Sequence, residues 1–427
     1  MTLERINGVY NELDSICATR YAEIKALKKS QIFTFKISEL KLSAALILKQ
    51  EALSVGGDFI TSKDLILAQK EKYCGILIAT QNELEKLIAK CRIQPFGLKK
   101  LAFILKEHLD YGGFDSMSDS SDFVDSGKFV ESSDFSSGGD SAINSSDSAD
   151  SSDFCDSTAI KRRKIPQIMG IINITEDSFY ADSRITKIDK ILQTIESMIE
   201  SKVAIIDIGG ASSRPDSTRV ESSEELERLK APLKAIYEAN LTQKAIFSID
   251  SYNYECVKYA IECGFSIIND IEGLRDMRLA ELAKESGSKI VLMHNSWLYP
   301  HSGNIIRSVD EFFTKRVESL LNLGIKREQI ILDVGFGFGK NSEENLALVR
   351  NLAHFKHFGC SMLMGASMKR TIGEIVSKGE SLERAVNERL FGTLALHQIA
   401  LDNGADIIRC HDFKAHSDML KMWLALR

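Results

Sequence analysis

The last ~265 residues carry eight short apolar runs, separated by helix-length segments, each delivering a polar residue at or just past its C-terminal end. In order, IPQIMGIIN gives Asn173, VAIIDIGG Asp207, AIFSID Asp250, SIIND Asn269 and KIVLMH His294. IILD then gives Asp333, MLMGASMK Lys369, and DIIRCH both Arg409 and His411. Continuous apolar runs of this length suit parallel strands buried on both faces, and parallel strands need crossover connections, usually helices. Eight strand–helix units in this length predict a closed (β/α)8 TIM barrel, whose working face is the C-terminal rim of its strands. An open doubly wound sheet is the alternative. No GxGxxG follows the first run, however, and polar groups end every strand instead of gathering at one switch point.

The intervening segments have helical period, and Gly264, Gly287, Gly324 and Gly404 follow four of them as C-caps. The stretches 341–355 and 383–404 each read as one helix. Residues 161–427 are therefore assigned to the barrel.

Two other regions precede it. Residues 1–109 contain strand patterns in FTFKISEL and YCGILIAT, and helical patterns in LSAALILKQEALSVG, ATQNELEKLIAKC and LKKLAFILKEH. They predict a small mixed α/β domain with no cluster of chemistry-bearing residues and a plain turn at SVGGDF. Residues 110–160 are nearly all Ser, Asp and Gly, with an imperfect SSDF repeat. Such a stretch buries too little apolar surface to offset chain entropy, so a disordered linker is expected.

A chain of 427 residues that is 44% hydrophobic and 27% charged has the composition of a globular protein, and its net charge of −6 supplies no basic field. Nucleic acid and anionic membranes are thereby disfavoured as partners. The eight cysteines include no CxxC pair and read as buried thiols of a reducing compartment. The N-terminal residues lack the apolar core of a secretory signal, and no run approaches the ~18 apolar residues of a membrane span. A cytoplasmic location is expected.

The strand ends divide chemically. Asp250, Asn269, Asp333 and Lys369 offer acceptors, an amide and a cation, a set suited to a flat nitrogen heterocycle. Met293, Ile271 and Phe338 supply apolar walls for such a ring. Taken singly, Asp250 reads equally well as a helix cap and Asn269 as a turn residue. Ser212, Ser213 and Arg214, on a loop stiffened by Pro215, converge with Arg409 and His411 because the second and eighth strands both flank the first. Arg, His and hydroxyls gathered beside Asn173 suggest an anion site for phosphate or diphosphate. The glycines of LDVGFGFGK lack the GK[ST] ending of a P-loop, because Asn341 follows Lys340. They permit a close backbone turn beside the ring. His294 is assigned structural support.

At these residues the chain resembles the dihydropteroate synthases. The segments IMGIINITEDSF, IDIGGASSRPDS, FSIDSYNYECVKYAIECGFSIINDIEGL, IVLMHN, IILDVGFGFGKNSEENLALVRNL, LMGASMKRTIG and RLFGTLALHQIALDNGADIIRCHD follow in that family's order across 165–415. The resemblance implies condensation of 6-hydroxymethyl-7,8-dihydropterin diphosphate with 4-aminobenzoate, in an SN1-like step, to give 7,8-dihydropteroate and diphosphate. It implies a pterin site of Asp250, Asn269, Ile271, Met293, Asp333, Phe338, Lys369 and Arg409. Diphosphate and 4-aminobenzoate would lie against Ser212, Ser213, Arg214, Pro215, Arg370, Arg409 and His411, with Mg2+ at Asn173. Lys369, Asp250, Arg214, His411 and Asp182 would be catalytic. A homodimer through barrel helices and a role as a sulfonamide target are further implications.

The sequence departs from the family pattern in places. Glu176 replaces a Pro of the first loop, and Ala181 stands near the position of its Asp, with Asp182 one residue on. Val334 replaces the Pro of DPG, and Met368 the Arg of SRK. A pterin-dependent methyltransferase and a non-catalytic pterin-binding barrel are the competing readings. The SMKR segment argues against the first, and the altered first loop motivates the second.

Overall fold

The computed structural model describes residues 25, 26, 28–68, 70–112, 165–174, 184–211, 221–301, 303–377 and 386–426. The expected linker falls outside them except for 110–112, which form the end of a helix.

The N-terminal unit is a three-stranded antiparallel sheet of order β1-β3-β2, built from β1 (Ile32–Leu40), β2 (Asp58–Thr61) and β3 (Tyr73–Thr80). Against it pack α1 (Leu42–Val55), α2 (Gln81–Cys91) and α3 (Leu98–Gly112). The strand β2 occupies sequence read above as part of a turn: at four residues, it is too short for its alternation to register. A capping box starts α2, with the Thr80 hydroxyl accepting from the Glu83 N–H and Glu83 accepting from the Thr80 N–H. Such a box satisfies two otherwise unpaired donors and stabilises by about 1 kcal/mol. Leu98, Ala102, Leu105 and Leu109 recur along one face of α3 and are buried in this unit's own core.

The remainder is the predicted closed parallel barrel. Its strands are β4 (Gln167–Asn173), β5 (Ile205–Gly209), β6 (Ile246–Asp250), β7 (Ile267–Asp270), β8 (Lys289–Met293), β9 (Ile330–Asp333), β10 (Ser361–Met364) and β11 (Ile407–Cys410). Each pairs with its sequence neighbour, and β11 closes on β4. The crossovers are α4 (Arg184–Glu200), α5 (Ser222–Glu238), α6 (Tyr254–Glu262), α7 (Arg278–Ser286), α8 (Ile305–Leu323), α9 (Ser342–Arg350), α10 (Arg370–Val376) and α11 (Leu390–Asp402). The last helix, α12 (Phe413–Ala425), follows β11. Two stretches read as single helices are divided: α9 passes into a 3₁₀ segment at Leu352–Phe358, and α11 starts only at Leu390. Each retains an apolar repeat, which does not distinguish 3.0 from 3.6 residues per turn over so short a span.

Alternation along the strands creates the functional face. Met169, Ile205, Ile267, Val291, Ile331, Leu363 and Ile407 form one buried cluster inside the barrel. Side chains two residues apart share a strand face. The next inward positions are Asp207 after Ile205, Asn269 after Ile267, Met293 after Val291, Asp333 after Ile331 and Arg409 after Ile407. An apolar plug therefore gives way to a polar mouth within one step of the pleat, toward the C-terminal ends of the strands.

Candidate active site

The centre of the mouth is a buried charge network. Arg409 donates from Nε to Asp207 Oδ2 at 2.7 Å and from Nη2 to Asp250 Oδ2 at 2.5 Å. Asn269 Nδ2 donates to the same Asp207 oxygen at 3.0 Å. Two carboxylates face one guanidinium, so the charges do not cancel. Burial drives the Asp250 carboxyl up to about 7 despite Arg409, and neighbouring Asp207 adds to the rise. Burial works against the charge of Arg409, but the two aspartates beside it hold its proton more tightly still.

Asp333 and Lys369 face this network from the next strands. Asp333 Oδ1 accepts from the Gly335 N–H at 2.8 Å, and burial raises its carboxyl while Lys369 pulls it down. Lys369, five residues past the end of β10, is the N-cap position of α10. Its ammonium donates to the Phe336 carbonyl at 2.6 Å and lies 4.4 Å from the centre of the Phe338 ring. Burial lowers its pKa to about 8, with Asp333 opposing the fall. Met293 and Phe338 are buried apolar groups at the same rim, and Ile271 is half-buried just past β7.

The glycine-bearing loop after β9 serves packing, as its missing P-loop ending suggests. Gly335 has φ +66°, and a Cβ there would stand 1.9 Å from the His294 carbonyl oxygen. Lys340 braces the loop from inside, its ammonium donating to the carbonyls of His294 (3.0 Å), Gly335 (2.9 Å) and Phe338 (3.3 Å). Burial brings its pKa down to about 7, while three carbonyl acceptors match the three N–H donors of the charged form. His294 is buried with its ring edge-on to Phe312. It supports this loop through its backbone, and burial depresses its imidazole to about 3.

The loop after β10 is held by His397, His416 and Thr393, which were not singled out from the sequence, and by His411, which was. The Ala366 N–H donates to His397 Nε2 at 3.1 Å, His397 Nδ1 meets His416 Nε2 at 2.8 Å, and His416 Nδ1 meets the Asp412 carbonyl at 2.6 Å. The end contacts fix the tautomers: His397 accepts at Nε2, so its Nδ1–H donates to His416. Ser367, next along, accepts from the His411 N–H at 3.2 Å and pairs with His411 Nδ1 at 3.0 Å. Met368 sits at φ +59°, its N–H donating to Thr393 Oγ1 and its carbonyl accepting from Arg389.

Of the residues singled out from sequence, Asp250, Asn269, Asp333, Phe338, Lys369, Arg409 and Met293 share the mouth. Arg409 joins its acidic side rather than standing free toward the expected anion site. Asp207, noted only as a strand-end residue, is the fully buried acceptor that joins Arg409 to Asn269. Period-two alternation inward from Ile205 is the signal that would have found it. Asn173 and His411 are exposed at the rim. Arg370 is exposed and pairs with Glu374 at 2.8 Å, one turn along α10. Ser212, Ser213, Arg214, Pro215 and Asp182 lie outside the described residues.

This polar barrel mouth has counterparts among known proteins. Residues 169–411 match the family described as pterin binding enzyme. The whole chain is 38% identical to the bifunctional dihydropteroate synthase/dihydropteroate reductase of Helicobacter pylori, over 436 residues covering 100% of this chain and 99% of that one. A dihydropteroate synthase structure from Clostridium difficile, determined in the presence of pteroic acid, has a TM-score of 0.56 at 32% identity. It covers 62% of this chain and 97% of that one. The Xanthomonas albilineans dihydropteroate synthase with 4-aminobenzoic acid has a TM-score of 0.54 at 31% identity, covering 61% and 93%. The chain belongs to the pterin binding enzyme family, among its dihydropteroate synthases.

Proposed function

We propose that Asp250, Asn269, Asp333 and Lys369 hold the ring of 6-hydroxymethyl-7,8-dihydropterin diphosphate while it is joined to 4-aminobenzoate. The joint placement of these four in one buried mouth with Arg409 is the observation that carries this reading. Carboxylates accept the N–H groups of an aminopyrimidinone edge, and Lys369 donates to a ring carbonyl or nitrogen. Phe338 and Met293 offer the ring an apolar wall.

The C–O bond between pterin methylene and diphosphate then breaks heterolytically, both electrons leaving with diphosphate. The excess of carboxylates over cations favours the cation that develops on the pterin. The amine nitrogen of 4-aminobenzoate, neutral at pH 7, supplies the electron pair for the new C–N bond, and its proton passes to diphosphate or solvent. Because the amine needs no strong base, positioning matters more than activation. Ser212, Ser213, Arg214 and His411 are assigned to the diphosphate. Pro215, Arg370 and the loop carrying Asp182 are assigned to the benzoate side.

Mg2+ is proposed to accompany the diphosphate. Asn173, exposed at the rim, presents an amide oxygen of the hard kind this ion takes, and one or two protein oxygens plus substrate phosphates are a common Mg2+ set. Bound there, the ion would neutralise the leaving anion. A homodimer through the barrel helices and a cytoplasmic location complete the proposal. Among the described residues no helix is long and apolar enough to cross a membrane.

Purified chain, the pterin diphosphate, 4-aminobenzoate and Mg2+ should release diphosphate in step with product. No release at saturating substrates would overturn the assignment. The full-length match to a bifunctional relative supports a second proposed activity, reduction of dihydropteroate. It predicts dihydropteroate-dependent oxidation of a reduced nicotinamide or flavin by the full chain, and no such oxidation would remove it.

A further inference from the structure

Outside the mouth, one side-chain cluster joins the two folded units. His108 lies near the end of α3, in the N-terminal unit. His354 and His357 lie on the 3₁₀ segment of the barrel, and Asp310 on α8. The three imidazoles each present a ring nitrogen, all within 4.8 Å of one another. In a 3₁₀ helix residues i and i+3 eclipse, so His354 and His357 point the same way. Phe35, from β1, lies against the His108 ring at 5.4 Å and holds it toward the barrel.

The fourth group is the carboxylate. Asp310 Oδ1 stands 3.0 Å from His354 Nε2 and 3.3 Å from His357 Nε2. Neither contact has hydrogen-bond alignment, so this buried oxygen is an acceptor without a donor. On the His357 side the reason is visible. His357 Nδ1 is 2.6 Å from the His354 carbonyl, a contact that requires the proton on Nδ1. In the neutral ring Nε2 is then a lone pair facing another lone pair on Asp310, an arrangement that asks for a cation between them.

We propose that His108, His354, His357 and Asp310 form a divalent transition-metal site that fastens the N-terminal unit to the barrel. Three imidazoles and one carboxylate suit a borderline ion such as Zn2+ better than Mg2+ or Ca2+. Ligands of a tetrahedral ion at its usual bond lengths stand roughly 3.3 Å apart, the spacing Asp310 already keeps from His354 and His357. The three ring nitrogens, within 4.8 Å of one another, would draw together on the ion, with Asp310 entering from the side of His354 and His357. The Nδ1–H of His357 donating to a backbone carbonyl is the support that metal-bound histidines ordinarily have. All three imidazoles are half-buried, which leaves an entry path for the ion. The site is distinct from the proposed Mg2+ position at Asn173, which lies at the barrel mouth.

The test uses the full chain, free of any histidine tag, stripped with a chelator and titrated with Zn2+ against a chromophoric competitor. One equivalent per chain is expected. His108→Gln and the double variant His354→Gln/His357→Gln should each weaken binding by about a hundredfold or more. Co2+ should give the visible bands of a four-coordinate site in the parent, lost in both variants. Circular dichroism, and synthase activity with Mg2+ supplied, of the Zn2+-free variants, matching the Zn2+-free parent, would show that the fold survives. Sub-stoichiometric binding by the parent would overturn the proposal. So would binding that persists in His108→Gln, because the ion would then not join the two units.

Discussion

At the scale of single residues, the mouth holds charges that are buried without cancelling. Lys369 is held between the Phe336 carbonyl and the Phe338 ring, opposite Asp333. If it orients the ring, Lys369→Ala removes about 2–4 kcal/mol of transition-state stabilisation, a fall in kcat/KM of roughly 30- to 1000-fold. A variant within twofold of the parent would refute that role. Asp250 has its folded pKa raised to about 7, so it is protonated below that pH and ionised above it. Only the carboxylate accepts N–H groups at both oxygens. Affinity for a pterin lacking phosphate should therefore rise between about pH 6 and 8 and then level off. Calorimetric titration across that window checks it, and the same profile in Asp250→Asn would assign the dependence elsewhere. The residues around Lys369 were legible because each ends an apolar run. Asp207, two positions before its strand ends, was less so.

At the scale of elements, the loops after β9 and β10 are fixed by contacts made at long sequence range. Two glycines at positive φ separate conformational freedom from close approach. Gly287, at φ +73°, has nothing within 4 Å of an added Cβ. Its replacement by Ala costs only backbone strain, about 1 kcal/mol. Gly335→Ala drives the new carbon into the His294 carbonyl, and should cost about 3 kcal/mol or more. Urea midpoints of the two variants make the comparison, and equal shifts would show that the loop simply yields. The barrel strands and most crossover helices follow from apolar runs and helical periods, with a glycine C-cap ending α7 and α8. Strand β2 and the division after α9 did not, because four residues or one turn carry too little periodic signal.

At the scale of the whole molecule, the unit built on β1–β3 packs through α3 against the 3₁₀ segment of the barrel, yet buries its own apolar face of Leu98, Ala102 and Leu105. The solved synthases match about three fifths of this chain while being covered almost whole. A chain beginning near Lys161 should accordingly fold and keep synthase activity within a few-fold, melting a few degrees lower for want of the α3 contact. Diphosphate release and calorimetry measure both. Failure of this truncated chain to fold would show that the barrel depends on α3 as part of its own packing.

The amino-acid sequence determined the barrel and its polar rim, because buried strands write their periodicity and their terminal residues into consecutive positions, and its ordered segments across 165–415 carried the family resemblance. Three further features were decided by tertiary structure alone. Arg409 bridges Asp207 and Asp250, Lys340 ties its own loop to the distant His294 carbonyl, and His108 meets His354 and His357 across two units. Each joins groups brought together by strand closure or domain packing, and contacts of that range leave no periodic trace along the chain.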